Sequence, residues 1–142
     1  MSIEAVYTAH AVATGDGRNG HVASSDGLVD TDVAIPEEMG GPGGATNPEQ
    51  LFAAGYAACF HSALKIVAGT EKIALGEDTT IDASVGIGSN GAGGYGLTVA
   101  LAAHLPGLSQ EAADDLVAKA HQVCPYSNAT RGNIDVALST TV

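Results

Sequence analysis

The chain has 142 residues, 45% of them hydrophobic, which is enough for one domain with a core of its own and short for two. Sixteen acidic residues against five lysines and arginines give a formal net charge of −11. That balance argues against binding nucleic acid or an anionic membrane, since both need basic patches.

The β-branched and aromatic residues of 3–12 predict a first strand. The opening MSIEAVYTAH has neither a basic n-region nor an apolar h-region, so no secretory signal and a cytoplasmic location are expected. TGDGRNG at 14–20 reads as a turn that carries Arg18. HVASSDGLVDTDVAI then reads as two short strands joined at Asp26-Gly27, a strong hairpin signal. PEEMGGPGG, from residue 36, is a glycine loop leading into the longest apolar stretch of the chain.

That stretch starts as a helix should. Asn47 is a good N-cap, Pro48 fits the first helical position, and Glu49 suits the positive end of the macrodipole. From Leu51 to Ala68 polar side chains are scarce, so the helix is expected to be buried on nearly every face. A short second helical piece is expected to run to about Lys72. No apolar run is expected to span a membrane, because Lys65 interrupts the longest one. Downstream, 79–88 and 95–105 read as strands joined by SNGAGG. Ser109 caps a helix on which Ala112, Leu116, Ala120 and Val123 recur at helical spacing. Cys124 falls at the C-terminal end of that helix, Pro125 stops it, and 133–142 closes the chain as a strand. The expected fold class is α+β, with antiparallel sheets packed around a long central helix in a single domain, 1–142. One modest sheet covers only one side of an apolar helix, so a homodimer with a shared, intertwined core is expected.

Cys59 lies in the middle of the central helix, where Phe52, Tyr56, Cys59 and Ala63 share a face. With Cys124 it permits three readings. In the first the two form a redox pair: Cys59 attacks an O–O bond to give a sulfenic acid, and Cys124 condenses with it to a disulfide. Cys59 then needs a cation to favour the thiolate, and Arg18 and Arg131 are the chain's two arginines. Arg131, in CPYSNATRGN, is read first as an anchor of its loop. In the second reading Cys59, His61, His121 and Cys124 bind a metal. That arrangement is disfavoured because Cys59 and His61 point about 200° apart on a helix. In the third, the cysteines are inert packing in a non-catalytic binding or stress protein.

GATNPEQLFAAGYAACF, at 44–60, and VCPYSNATRGNIDV, at 123–136, resemble the two signature stretches of the organic hydroperoxide resistance proteins. These belong to the superfamily of osmotically inducible protein C. GDGRNGHVASSDGLVDTDV and GIGSNGAGGYGLTVAL resemble the family's N-terminal segment and hairpin, so the likeness covers nearly the whole chain. It implies a swapped α+β dimer and a thiol peroxidase that reduces organic hydroperoxides, with lipoylated proteins or dihydrolipoamide as reductant and neither bound cofactor nor metal. A broader peroxidase of the osmotically inducible type is the alternative inside the superfamily. Carried over by position, Cys59 matches the peroxidatic cysteine and Cys124 the resolving one. Arg18 matches the arginine that activates the thiolate, and Glu49 the carboxylate that holds it.

Two expectations follow from helix geometry. Glu49 and Cys59 are ten residues apart, roughly 15 Å along a helix axis, so Glu49 is expected to serve the cysteine of a partner chain. Phe52 and Tyr56 flank Cys59 and would form an apolar substrate pocket, favouring alkyl or fatty-acyl hydroperoxides over hydrogen peroxide.

Overall fold

The structure, a computed structural model, describes residues 2–142. It is α+β, with two three-stranded sheets and one long helix, and it divides into two compact units, one ending at Leu51 and the other Phe52–Val142.

In the first unit, β1 (Ala11–Thr14), β2 (His21–Ser24) and β3 (Asp30–Asp32) form an antiparallel sheet in sequence order. The turn between β2 and β3 is built as expected. Asp26 accepts hydrogen bonds from the Ser24 hydroxyl and the Leu28 amide, and Gly27 takes the positive φ of 75° that the bend requires. The first strand is shorter than its composition predicts. Ala11 pairs with Ser24 and one further bond joins Ser25 N–H to the His10 carbonyl. Beyond that β2 has turned away and offers no backbone to pair with. Residues 2–10 continue as an exposed arm, with Ile3, Val6 and Tyr7 all largely open to solvent.

In the second unit, β4 (Thr80–Ser89) and β5 (Tyr95–His104) form the expected hairpin. The Asn90 side chain closes it by accepting from the amides of Ala92 and Gly94. β6 (Val136–Thr141) adds to β5 in parallel, so the sheet is mixed and not wholly antiparallel. The reason is that a helical segment, α2 (Gln110–Val123) with α3 (Pro125–Thr130), separates β5 from β6 and returns the chain to the end where β5 begins. Along β5, Val99, Leu101 and Ala103 point inward at the strand period of two. They meet Phe60, Leu64 and Val67 of α1 (Pro48–Thr70) and Leu116, Val117 and Ala120 of α2 in one apolar core.

Helix α1 begins in the first unit and continues in the second. Asn47 caps it, its side-chain oxygen accepting from the Gln50 amide at 2.9 Å. It runs unbroken to Thr70, with no separate second piece, and the chain leaves it through Lys72 at a φ of 58°. Two expectations are corrected here. With Glu49 and Lys65 its only charges, α1 is long and apolar enough to cross a membrane by length and composition, an 18-residue window of it reaching a mean hydropathy of 1.4. One lysine does not interrupt the helix, since from Leu51 to Ala68 only His61 and Ser62 are polar besides Lys65 and the Tyr56 hydroxyl. Nor is α1 covered all round. Leu51, Ala54, Ala58, Ser62 and Ile66 form an exposed stripe on it, because the core of this chain reaches only the Tyr56–Phe60–Leu64 side. On α2 the buried stripe is Ala113, Leu116, Val117 and Ala120, continuing to Cys124, while Val123 is exposed.

Candidate active site

In the first unit, Arg18 sits on a single 3-10 turn, Gly17–Asn19, between β1 and β2. The turn is tied down on both sides. Asn19 accepts from the Ile35 amide at 2.9 Å, and Gly20 passes so close to Thr14 that a Cβ there would lie 2.2 Å from its carbonyl oxygen. Arg18 donates two hydrogen bonds to Glu49, at 2.9 and 2.8 Å, in the bidentate geometry that suits a guanidinium and a carboxylate. Glu49, in the first turn of α1, is nearly buried, while Arg18 is about a third exposed. The Arg18 bonds hold the Glu49 carboxyl below the usual carboxylate range, against the opposing effect of burial. Glu49 in turn raises the Arg18 pKa, so both groups stay charged. The two residues that the resemblance pairs do meet, within one chain.

In the second unit, Cys59 and Cys124 are free thiols with their sulfurs 3.5 Å apart. A disulfide would bring them to about 2.05 Å. Cys59 is half-buried and Cys124 wholly buried. Cys124 occupies a junction that the sequence reading placed only at a helix end. It closes α2 through its own N–H to the Ala120 carbonyl and is also the residue before α3, whose first residue is Pro125. CPYSNATRGN is therefore largely a helix and not a loop, because Pro at the first helical position starts a new helix as readily as it stops the old one. Burial pushes the Cys59 thiol up, and the neighbouring Cys124 pushes it the same way, while a hydrogen bond from the Tyr126 amide partly offsets both. A thiolate at Cys59 needs a cation in addition to these neighbours.

Three aromatic rings stand beside the thiols. Phe52, Tyr56 and Tyr126 form a triangle with centroids 6.1, 5.6 and 6.0 Å apart, in tilted and edge-to-face contacts. Gly55 makes room for it, since a Cβ there would lie 3.1 Å from the Tyr126 hydroxyl oxygen. Phe52 is half-buried and Tyr126 partly exposed, whereas Tyr56 is fully buried and spends its hydroxyl on Ser127 at 2.8 Å and Thr130 at 3.2 Å. The sequence reading missed Tyr126, Ser127, Thr130 and the role of His121, whose Nδ1 lies 2.8 Å from the Ser127 hydroxyl. Their signal was proximity to Cys124, with His121 three residues before it and Ser127 three after. Arg131 donates to Asn128 and to the His121 carbonyl, which anchors α3 against the end of α2. His61 lies apart from this cluster, beside a cavity of about 160 Å³ shared with Lys65, Leu75 and Thr79. Among the described residues no group of three or more His, Cys, Asp or Glu side chains is placed to hold a metal ion.

The chain sets a mixed sheet under one long helix, with paired thiols where that helix meets the α2–α3 junction, and residues 41–139 match the family of OsmC-like proteins. The chain belongs to it and, within it, to the organic hydroperoxide resistance proteins. It is 57% identical over 135 residues to the organic hydroperoxide resistance protein of Xanthomonas axonopodis pv. citri, covering 94% of each chain. The crystal structure of an organic hydroperoxide resistance protein from Legionella pneumophila is similar at a TM-score of 0.93 and 58% identity, over 98% of this chain and 100% of the other. That of OhrB from Bacillus subtilis is similar at 0.87 and 44%, over 96% and 100%.

Proposed function

We propose that this protein is a cysteine-based peroxidase that reduces organic hydroperoxides to alcohols. The observation that carries the reading is the pair of free thiols, one buried and one half-buried, 3.5 Å apart beside apolar rings. The Cys59 thiolate attacks the distal peroxide oxygen, the O–O bond breaks, and the leaving alkoxide takes a proton to become the alcohol. Cys59 is left as a sulfenic acid. The Cys124 sulfur then attacks the Cys59 sulfur, the S–O bond breaks, and hydroxide leaves with the thiol proton as water. A dithiol reductant reopens the disulfide by exchange and is itself oxidised to a disulfide. Dihydrolipoyl groups suit this last step, since both thiols sit on one apolar arm. The cycle needs no bound cofactor or metal, and it fits a reducing cytoplasm.

Arg18 supplies the cation. It stabilises the thiolate and the departing alkoxide, and Glu49 holds it in place. Both belong to the same ion pair, so they act together, and the length of helix between Glu49 and Cys59 favours the cysteine of a partner chain. A homodimer is further supported by the exposed apolar stripe of α1 and by the arm at 2–10, whose Ile3, Val6 and Tyr7 have no cover in one chain. Phe52 and Tyr126 form the wall of the substrate pocket, with the buried Tyr56 ring packed behind them.

The test is peroxidase turnover with tert-butyl hydroperoxide and dihydrolipoamide. Turnover that requires both, and that prefers the organic hydroperoxide to hydrogen peroxide, supports the reading. Equal rate constants for the two peroxides point instead to the broader osmotically inducible type, and no turnover with either sinks the peroxidase.

A further inference from the structure

The Tyr56–Ser127 contact has a position that its burial alone does not explain. Tyr56 stands three residues before Cys59 on α1, and Ser127 three residues after Cys124, on α3. The 2.8 Å bond between their hydroxyls therefore crosses from one helix to the other one turn away from the sulfur pair, as a second link alongside it. Both side chains are fully buried, and three further contacts extend the link: His121 Nδ1 to Ser127, Tyr56 to Thr130, and Thr130 to the Ser127 carbonyl.

One direction of donation serves all four contacts with one hydrogen each. Thr130 donates to the Ser127 carbonyl, so its oxygen accepts from Tyr56. The Tyr56 oxygen then accepts from Ser127, and Ser127 accepts from the Nδ1–H of His121. The reverse direction leaves one contact without a hydrogen. Burial, with the Arg131 charge adding, lowers the His121 pKa, so the imidazole is neutral near neutral pH. The neutral ring then carries its proton on Nδ1. Every hydroxyl then has a partner for its hydrogen, and Tyr56 of α1 is tied to α3 through both Ser127 and Thr130.

We propose that Tyr56 and Ser127 are positioning residues for closure of the Cys59–Cys124 disulfide, holding the two helices at a spacing from which the sulfurs close by roughly 1.5 Å to bonding distance. This rests on the redox reading of the two thiols but not on the peroxide substrate. The network fixes how often Cys124 meets Cys59, and so the effective concentration of one thiol at the other.

The experiment is a redox titration of the full-length protein in dithiothreitol buffers without peroxide, with the Cys59–Cys124 disulfide quantified by alkylation of the remaining thiols. Tyr56→Phe and Ser127→Ala should each lower the equilibrium constant for the disulfide about tenfold, which raises the potential by about 30 mV. A general loss of stability moves the dithiol and disulfide forms together and leaves this constant alone. Should Ser127→Ala fail to fold, Tyr56→Phe decides, since it keeps the ring and loses only the bond. An unchanged constant, or a shift toward the disulfide, overturns the proposal. The result is separable from the peroxidase assay. A shifted constant in a protein that ignores peroxide keeps this inference and removes the substrate, while an unshifted one in an active peroxidase does the reverse.

Discussion

Cys59 and Cys124 differ in burial and in what surrounds them, and the proposed cycle gives them different tasks. Cys59→Ser should abolish sulfenate formation and all turnover. Cys124→Ser should consume about one equivalent of hydroperoxide and then stall or over-oxidise. Mass spectrometry of each variant after a single dose of hydroperoxide separates them, and equal inertness of the two would reverse or void the assignment. Arg18→Ala should slow Cys59 oxidation by every peroxide alike, by about 10² to 10³, since it removes a charge that acts on thiolate and alkoxide. The paired Glu49 also leaves a pH signature. Its folded pKa lies below the ordinary value because Arg18 donates to it. Its contribution to stability is therefore complete above the unfolded carboxylate pKa, about 4.3, and is lost as pH falls through the lower folded value. The Tm advantage of the wild type over Glu49→Gln should be steady near neutrality and shrink as the medium is acidified. A constant difference across that range would show that the pair adds no pH-linked stability.

At the scale of the element, the proposed function has α1 carry most of the selectivity of the site. Its aromatic face offers an incoming alkyl chain apolar surface worth about 0.8 kcal/mol per buried CH₂, so three or four such groups give roughly two orders of magnitude over hydrogen peroxide. Phe52→Ala should narrow that gap by about tenfold, measured as second-order rate constants of Cys59 oxidation by cumene hydroperoxide and by hydrogen peroxide. If both constants fall together, the ring positions the thiol and does not select the substrate. The start of this helix was legible residue by residue, because Asn47, Pro48 and Glu49 act within one turn. The Asn90 hairpin and the Ser109 cap were legible for the same reason. α3 was not, since proline after a helix and proline opening the next read alike in sequence.

For the whole molecule, the proposed homodimer raises the question of which chain's Arg18 serves which Cys59. If each active site draws Cys59 from one chain and the Arg18–Glu49 pair from the other, two inactive variants can repair each other. Unfolding and refolding a mixture of Arg18→Ala and Cys59→Ser chains should give hybrid dimers that contain one complete site. About half of the dimers form as hybrids under random pairing, each with one of two sites working. Activity should return to about a quarter of the wild-type level per chain. Were the site built within a single chain, the mixture would stay as inactive as its parts.

The sequence by itself determined what depends on neighbours within a turn or two: the caps, the strand alternation, the start of α1 and the type of chemistry that two cysteines permit. Its family signatures also named Cys59, Cys124, Arg18 and Glu49. Tertiary structure decided what depends on residues far apart in the chain meeting in space. Pairing decided that β6 runs parallel to β5 and that residues 2–10 are an arm, because a strand exists only where another backbone lies beside it. Packing decided that only one side of α1 is covered within a chain. It also brought two sulfurs 65 residues apart to 3.5 Å, and Tyr56 to within hydrogen-bonding reach of Ser127, 71 residues away. Helical periodicity indicates which side of a helix is apolar, but which side chain of another helix will meet it is set only when the shared core closes.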